Sequence, residues 1–377
     1  MEDFGIDFVL GLDLPDIHRY RGPRGTYYAD CPFCGRKRKV GIDPAKGIGR
    51  CNYCGTGFNK ISLHAMLKGI SNLEAGRELT ALWRSLPEEE REKHALKTAG
   101  TGDRETAPAP LEVRDEIYRE LLGRLTLSEA HRESLHRRGL TDAQIDALMY
   151  CSFPGERPGR TERDMAGFLR ERVTEREGVP GFWRTRYGNV HIVRRRSGIL
   201  LPVRTDTGMI SGLQIRYDDL PDNASEAEKE AWRKYAWFSS SEKKGGCPVS
   251  GCGNIHFAGD WHTMPQTVTI TEGVLKADVA AALTGGRFIG LTGVNNLGQL
   301  PRVLADLRAY GQTRTVNVAI DMDYRNKPMV ASAMEELCRM VDEAGFARRV
   351  LKWNERWKGI DDFLLARKEL LDACSGG

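Results

Sequence analysis

No stretch of this sequence approaches the ~20 consecutive apolar residues that a membrane-spanning helix requires, so no membrane partner is expected. The opening MEDFGIDFVLGLDLPDI carries acids and lacks the basic n-region of a signal peptide, which reads as cytoplasmic. No G-x4-G-K-[ST] occurs, against a fused P-loop helicase or ATPase, and the glycines of LTGVNNLG fail the dinucleotide fingerprint. An excess of one charge is missing too. The 56 Lys and Arg against 52 Asp and Glu leave a net charge of +4, so an anionic partner must be met by local patches. Disulfide pairing is not suggested, since the nine cysteines are an odd number. Four form two Cys-x-x-Cys pairs and five (Cys151, Cys247, Cys252, Cys338, Cys374) are scattered, which fits a reducing compartment and a metal site. Cys247 and Cys252, with no second ligand pair nearby, read as a loop. What remains is globular in composition, and 377 residues correspond to roughly two or three domains.

The most specific local pattern is CPFCGRKRKVGIDPAKGIGRCNYCG, residues 31–55. Cys31, Cys34, Cys51 and Cys54 give C-x2-C-x16-C-x2-C, the spacing of a structural zinc ribbon. Four soft thiolates close a tetrahedron and leave no open position for chemistry. Gly35 and Gly55 follow the knuckles, where the backbone must turn tightly. Between them Arg36, Lys37, Arg38 and Lys39 form a basic run expected to touch a phosphate backbone. ISLHAMLKG and LEAGRELTALWRSL then show helical spacing, with His64 read as packing, and EEEREKH is a charged helix end. LKTAGTGDRETAPAPL reads as a flexible tether. The expected organisation is therefore a zinc-binding domain over 1–95, a linker over 96–112, a mixed subdomain over 113–260 and a final domain over 261–377.

Residues 113–150 are helical in pattern, with an N-cap expected at Thr141. From Val190 the period becomes that of strands, and turn signals at Ser197-Gly198 and Asp206-Thr207-Gly208 predict an antiparallel meander. Arg194, Arg195, Arg196, Arg204, Arg216 and Lys234 stud this region. Strand alternation would place several on one face, lining an anionic groove. The last part alternates strand and helix: TVTI, VLKADVAAAL, RFIGLTG, LPRVLADLRAY, TVNVAID, MVASAMEELCRMVDEAG, RRVLKW, DDFLLARKELL. That order predicts a parallel α/β sheet, so the whole is multidomain, α+β followed by α/β.

Function in such sheets collects at the carboxyl ends of the strands. There the sequence places Glu272 before Gly273, Asp321 and Asp323 around Met322, and Asp361 and Asp362 after Lys358-Gly359-Ile360. Hard oxygen donors suit Mg²⁺ or Mn²⁺, and carboxylates brought this close need a cation. Asp361 and Asp362 have a second reading, as acids complementing a helix N-terminus.

Taken in order, these pieces resemble bacterial DnaG-type primases and the primase halves of phage primase–helicases. YYADCPFCG and RCNYCG are similar to the zinc-binding domain of that family. RRRSGILLPV, GMISGLQIR and KYAWFSS are similar to its basic strand motifs, and ITEGVLKAD, AIDMD and KGIDD to its TOPRIM motifs. The resemblance implies synthesis of short RNA primers de novo on single-stranded DNA by metal-dependent nucleotidyl transfer. It implies Glu272, Asp321 and Asp323 as catalytic metal-holding acids, Asp361 as a further magnesium or manganese ligand, and Glu272 alternatively as a general base. Arg194, Arg196, Arg204, Arg216, Lys234 and Lys276 would face template or nucleoside triphosphate, and a replicative helicase would act in trans. Cys34 stands where the cellular enzymes usually have His, Gly198 replaces an arginine, Lys276 replaces an acid, and YRNKPM lacks the usual Ala-Gly. These departures point to a phage or mobile-element primase. A TOPRIM nuclease and a non-catalytic single-stranded-DNA-binding mediator are the alternatives.

Overall fold

The computed structural model describes residues 4–21, 27–44, 47–94, 106–153, 168–173, 177–185, 187–193, 195–221, 223–224, 232, 234–243, 245–249, 255–293, 297–322 and 328–375. It divides into two compact units, residues 1–102 and 103–377. Among the described residues no helix is long and apolar enough to cross a membrane.

The first unit carries α1 (Ile6–Asp13) and five short strands, β1 (Arg19–Arg21), β2 (Tyr27–Ala29), β3 (Val40–Asp43), β4 (Ile48–Cys51) and β5 (Gly57–Asn59), followed by α2 (Lys60–Lys68), α3 (Asn72–Ser85) and α4 (Glu88–His94). The strands form one antiparallel sheet in chain order. Polar punctuation sets the helix limits. Asn59 accepts from the N–H groups of Ile61 and Ser62, Ser71 and Glu74 form a second reciprocal cap, and α2 ends at Gly69 in the left-handed region. Ile6, Leu10, Val40, Ile42, Leu63, Leu79 and Trp83 make the core. His64 is buried in it but does more than pack: Nδ1 lies 2.6 Å from Asp13 Oδ2 and Nε2 lies 3.2 Å from Glu78 Oε2. The helical spacing shows the buried face and is silent on these two carboxylates, which come from elsewhere.

The second unit opens with α5 (Leu111–Arg124), α6 (Glu129–His136) and α7 (Asp142–Leu148). Thr141 caps α7 in a reciprocal pair with Gln144. The start of this unit, in the segment expected to be linker, is packed: Thr106 N–H donates to Gly246 O and Ala109 N–H to Gly178 O, at 3.1 and 2.7 Å. Next come β6 (Cys151–Phe153), a π-helical turn at Leu169–Val173, β7 (Phe182–Arg184), β8 (Val190–Ile192), β9 (Gly198–Arg204), β10 (Ile210–Tyr217) and β11 (Tyr235–Trp237). An antiparallel sheet runs in the order β11-β10-β9-β6. The expected meander changes at its first strand. β8 pairs with β7 in a separate hairpin, where Trp183 stacks on His191 at 4.9 Å, and β6 takes the place beside β9.

Strands β9 and β10 are buried on both faces. Leu200, Leu213 and Ile215 pack with Ile117, Tyr118, Leu121 and Phe238, whereas Ile199, Leu201 and Val203 pack with Leu135, Tyr150, Val274 and Val279. An open arginine-bearing sheet face is therefore replaced by a sandwiched sheet, and Arg204 and Arg216 sit at strand ends. Gly198 belongs to the same close packing, because a Cβ there would collide with the Arg216 carbonyl and come within 2.8 Å of Tyr217 Cα.

The final sheet contains β12 (Ile255–Ala258), β13 (Thr267–Glu272), β14 (Phe288–Leu291), β15 (Thr315–Ala319) and β16 (Ala347–Val350), with α8 (Val274–Thr284), α9 (Leu300–Tyr310), α10 (Pro328–Glu343) and α11 (Ile360–Ser375). Its order is β12-β14-β13-β15-β16, with β14, β13, β15 and β16 parallel and β12 antiparallel at the edge. Val268, Ile270, Val316 and Val318 meet Leu300, Leu304, Leu337 and Val341 on one side. Ala277, Ala280, Ala319 and Ile360 form a tighter small-residue layer. Burial on both faces in β13 and β14 fits the covered centre of a parallel sheet, whereas edge strand β16 is exposed over Ala347–Arg349.

Candidate metal centre and acidic site

In the first unit, the β3–β4 register pairs Val40 with Cys51 and fixes one knuckle at the sheet. The four Sγ atoms of Cys31, Cys34, Cys51 and Cys54 lie within 4.8 Å of one another. Cys31 to Cys54 and Cys34 to Cys51 are each 3.8 Å apart. A tetrahedron with arms of about 2.3 Å, the zinc–thiolate length, has edges of about 3.8 Å, so the donors fit zinc in kind and in spacing. Backbone N–H groups of Cys34, Tyr53 and Cys54 point at Cys31 and Cys51 sulfurs from 3.4–3.5 Å, as a thiolate site needs. Gly35 and Gly55, at φ 70° and 75°, supply the left-handed turns. Burial pushes the Cys31 thiol up to about 12, while the Thr56 hydroxyl, 3.1 Å from Cys54 Sγ, draws Cys54 down to about 6. Arg36, Lys37, Arg38 and Lys39 are all exposed. Arg36 lies 3.5 Å over the ring of Tyr53, and Arg38 lies 4.0 Å over Tyr20. These aromatic partners give the basic run a stacking character that charge counting misses.

In the second unit, β13 delivers Glu272 to the carboxyl edge of its sheet, and Gly273 at φ 93° turns the chain into α8. β15 lies alongside, with Thr271 opposite Ala319, so Asp321 emerges on the same edge, 3% exposed. Lys276, one turn into α8, donates from Nζ to both Asp321 oxygens at 2.5 and 2.6 Å. Lys358 Nζ stands 4.0 Å from Asp321, and Met322 N–H donates to Lys358 O at 3.1 Å, tying the two loops together. Asp361 is 3% exposed. Its Oδ2 accepts from Arg138 Nη1 at 3.1 Å, and its buried Oδ1 has no hydrogen-bond partner among the described residues. A Cβ at Gly359 would meet the Asp361 Oδ1 and come 3.3 Å from Lys276 Cδ and Cε, so glycine leaves both side chains their places. Asp362 instead caps the helix, accepting from Gly359 N–H at 3.2 Å.

The electrostatics follow this layout. Burial pulls Lys276 down, but the charge and hydrogen bond of Asp321, then Glu272 and Asp361, carry it above the usual lysine range. Burial and the neighbouring Asp362 lift Asp361 above the usual carboxylate range, with Lys276 and Arg138 opposing. Lys234 is lowered by burial and by the positive charges of Arg216 and Arg138. Arg138, Arg216, Lys234 and Lys276 thus share one field around the acids. Among the described residues no three carboxylates lie within 4.8 Å of one another, and Glu272, Asp321 and Asp361 are arranged around Lys276. The oxygens are hard donors, and a buried carboxylate oxygen without a partner fits a divalent ion in kind.

The other basic positions of the strand region go elsewhere. Arg204 donates from Nη2 to Leu148 O at 2.7 Å and its backbone N–H to His256 Nδ1 at 3.0 Å, a structural role. Arg195 donates to Ser239 O at 2.7 Å, and Arg196 is exposed. Asp323, Arg194 and Cys252 lie outside the described residues. Sequence pattern does not point to Arg138 or to the buried group of Asp278, His256 and Tyr150. Asp278 accepts from His256 Nε2 at 2.9 Å and from Tyr150 Oη at 2.6 Å, and Arg204 N–H on Nδ1 fixes that tautomer. A lone Asp within the apolar helix VLKADVAAAL was the available signal.

Comparison with known proteins adds the following. Residues 261–370 match a family model described as a domain of unknown function (DUF3854). No curated protein matches in sequence. Among solved structures, the chain is similar to the Aquifex aeolicus primase zinc-binding and RNA polymerase domains, with 16% identity, TM-score 0.47, and coverage of 99% of this chain and 84% of that one. It is similar to a DnaG primase catalytic domain bound to single-stranded DNA, at 16% identity and TM-score 0.46, over 70% of this chain and 77% of that one. A primase domain from Pseudomonas aeruginosa gives 14% identity and TM-score 0.44, over 70% and 77%. TM-scores under 0.5 leave these as resemblances.

Proposed function

We propose that this chain is a primase-type nucleotidyltransferase that makes short RNA primers de novo on single-stranded DNA. The observation that carries the reading is the meeting, at one sheet edge, of acids from β13, β15 and α11 with a basic group formed by Arg138, Arg216, Lys234 and Lys276. Phosphoryl transfer needs positioning and charge compensation more than covalent help, and this edge offers both signs of charge at short range.

In this reading Glu272, Asp321 and Asp323, with Asp361, hold magnesium or manganese. Those acids would hold the ion, and when bound it would supply charge neutralisation for the triphosphate and Lewis acidity toward the attacking 3′-hydroxyl. Arg216 and Lys234 attract the triphosphate or the template backbone, and Arg138 holds Asp361 in place. The cysteine cluster binds zinc structurally, and its exposed Arg36–Tyr53 pair meets the template. A ribbon joined to the core by a linker would raise the local concentration of template, which matters when two free nucleotides must be gathered. A replicative helicase acting in trans and a phage or mobile-element setting belong to the same reading.

The test is incubation of the whole protein with single-stranded template, Mg²⁺ and labelled ribonucleotides. New short RNA is expected. Template cleavage instead favours a nuclease, and binding without chemistry favours a mediator; either result overturns the primase reading.

A further inference from the structure

Lys276 is unusual among the site residues, because it is a cation placed where the proposed chemistry asks for a bound ion. Its ammonium contacts both oxygens of Asp321 at 2.5 and 2.6 Å. The lysine is 21% exposed and the carboxylate 5%. Gly359, whose missing Cβ leaves room for the lysine stem 3.3 Å away, lets the side chain pass into the site. The second ammonium, that of Lys358, is 4.0 Å from Asp321 and 60% exposed, so it does not duplicate this contact. A divalent ion wanting Asp321 as ligand meets an ammonium already bidentate on it. The ammonium occupies the inner side of both Asp321 oxygens, so an ion approaching on that side must displace it, and at the remaining lone pairs its positive charge opposes a second cation.

We infer that Lys276 is a built-in competitor for divalent metal at Asp321, holding that carboxylate until an incoming ion displaces the ammonium toward an anionic ligand. This rests on the reading of the acids as a divalent-ion site, but not on primer synthesis. The displacement is a plain exchange of cations: the Nζ–H hydrogen bonds to Asp321 break, a metal–carboxylate contact forms, and no proton or electron is transferred. The ammonium so released would stay within electrostatic range of Lys234, which also feels Arg216 and Arg138, and would contact a phosphate there. The chemical class it prepares for is a metal-complexed polyphosphate.

The test is direct Mn²⁺ binding by the zinc-loaded full chain, followed by electron paramagnetic resonance of free Mn²⁺. Lys276→Gln should bind Mn²⁺ at least ~10-fold more tightly than the unsubstituted protein. Lys358→Gln, which removes a nearby charge without touching the bidentate contact, should change affinity less than about threefold. Equal affinity in the unsubstituted protein and K276Q, or an equal gain in K276Q and K358Q, overturns the inference. A second measurement needs no variant. Acetylation of Lys276, read by peptide mass spectrometry, should speed up severalfold when Mn²⁺ is added, and an unchanged rate overturns displacement even if K276Q folds poorly. Tighter metal in K276Q with no primers from the unsubstituted protein would leave this inference standing and remove the primase reading. Primers with unaltered metal affinity would do the reverse.

Discussion

At the scale of the residue, the site is built from groups kept against their own preference. Asp361 is buried beside Asp362 with one oxygen unpartnered among the described residues, and its carboxyl titrates above the usual range. A raised carboxyl in the folded state contributes stability below its unfolded value and loses that contribution as pH rises through the folded value. Once ionised above that folded value, Asp361 is therefore a liability to the fold. Asp361→Asn is expected to raise the unfolding free energy at pH 7–8, and this advantage should shrink as pH falls into the carboxylate range. Denaturant unfolding of both proteins at pH 7.5 and pH 5 checks the sign. Gly198 shows the opposite economy, serving packing alone. Gly198→Ala should cost about 1–3 kcal/mol by forcing β9 from β10, measured as a lower denaturation midpoint with an unchanged slope. In the sequence Gly198 stands out as a turn signal and as a glycine where the resembled family has an arginine. Its real constraint is the Arg216 carbonyl on the neighbouring strand.

At the scale of the element, the C-terminal strand–helix alternation is legible because the central strands β13 and β14 are largely buried and α9 presents one buried face of Leu300, Leu304 and Leu307. Edge strand β12 is not, since IHFA is short and its pairing with β14 is made only in space. The two-faced burial of β9 and β10 is equally hidden: strand alternation predicts several arginines on one face, and the packing covers both faces. Of them, Arg216 lies in the field of Lys234, and Arg204 is taken up by Leu148 and His256. Arg138 could not have been found from its neighbours in sequence, because its role comes from Asp361, 223 positions away. The ribbon is the reverse case, written almost entirely in its cysteine spacing. A sheet of strands only three or four residues long has little core of its own, so zinc should be needed for it. Removal by a strong chelator, or Cys51→Ser, is expected to release about one zinc per chain and to lose the β-sheet signal of residues 1–102. Metal release read with a chromogenic chelator and circular dichroism of the same sample test this together.

At the scale of the whole molecule, two units supply two different chemistries: a soft thiolate cluster with an exposed stacked arginine, and a hard oxygen edge ringed by cations. Neither alone specifies primer synthesis. A closed thiolate site leaves no position for a reacting group, and the acidic edge could serve cleavage as well as synthesis. Their presence in one chain is what favours starting a nucleic-acid strand, which needs template held and two nucleotides aligned. The most direct measurement is primer synthesis by Asp321→Ala/Asp323→Ala beside the unsubstituted protein, on single-stranded DNA with labelled ribonucleotides, with template binding measured in parallel. The account predicts that synthesis falls at least ~10³-fold while template affinity stays within about threefold. Primers made at an undiminished rate by the double variant would contradict it.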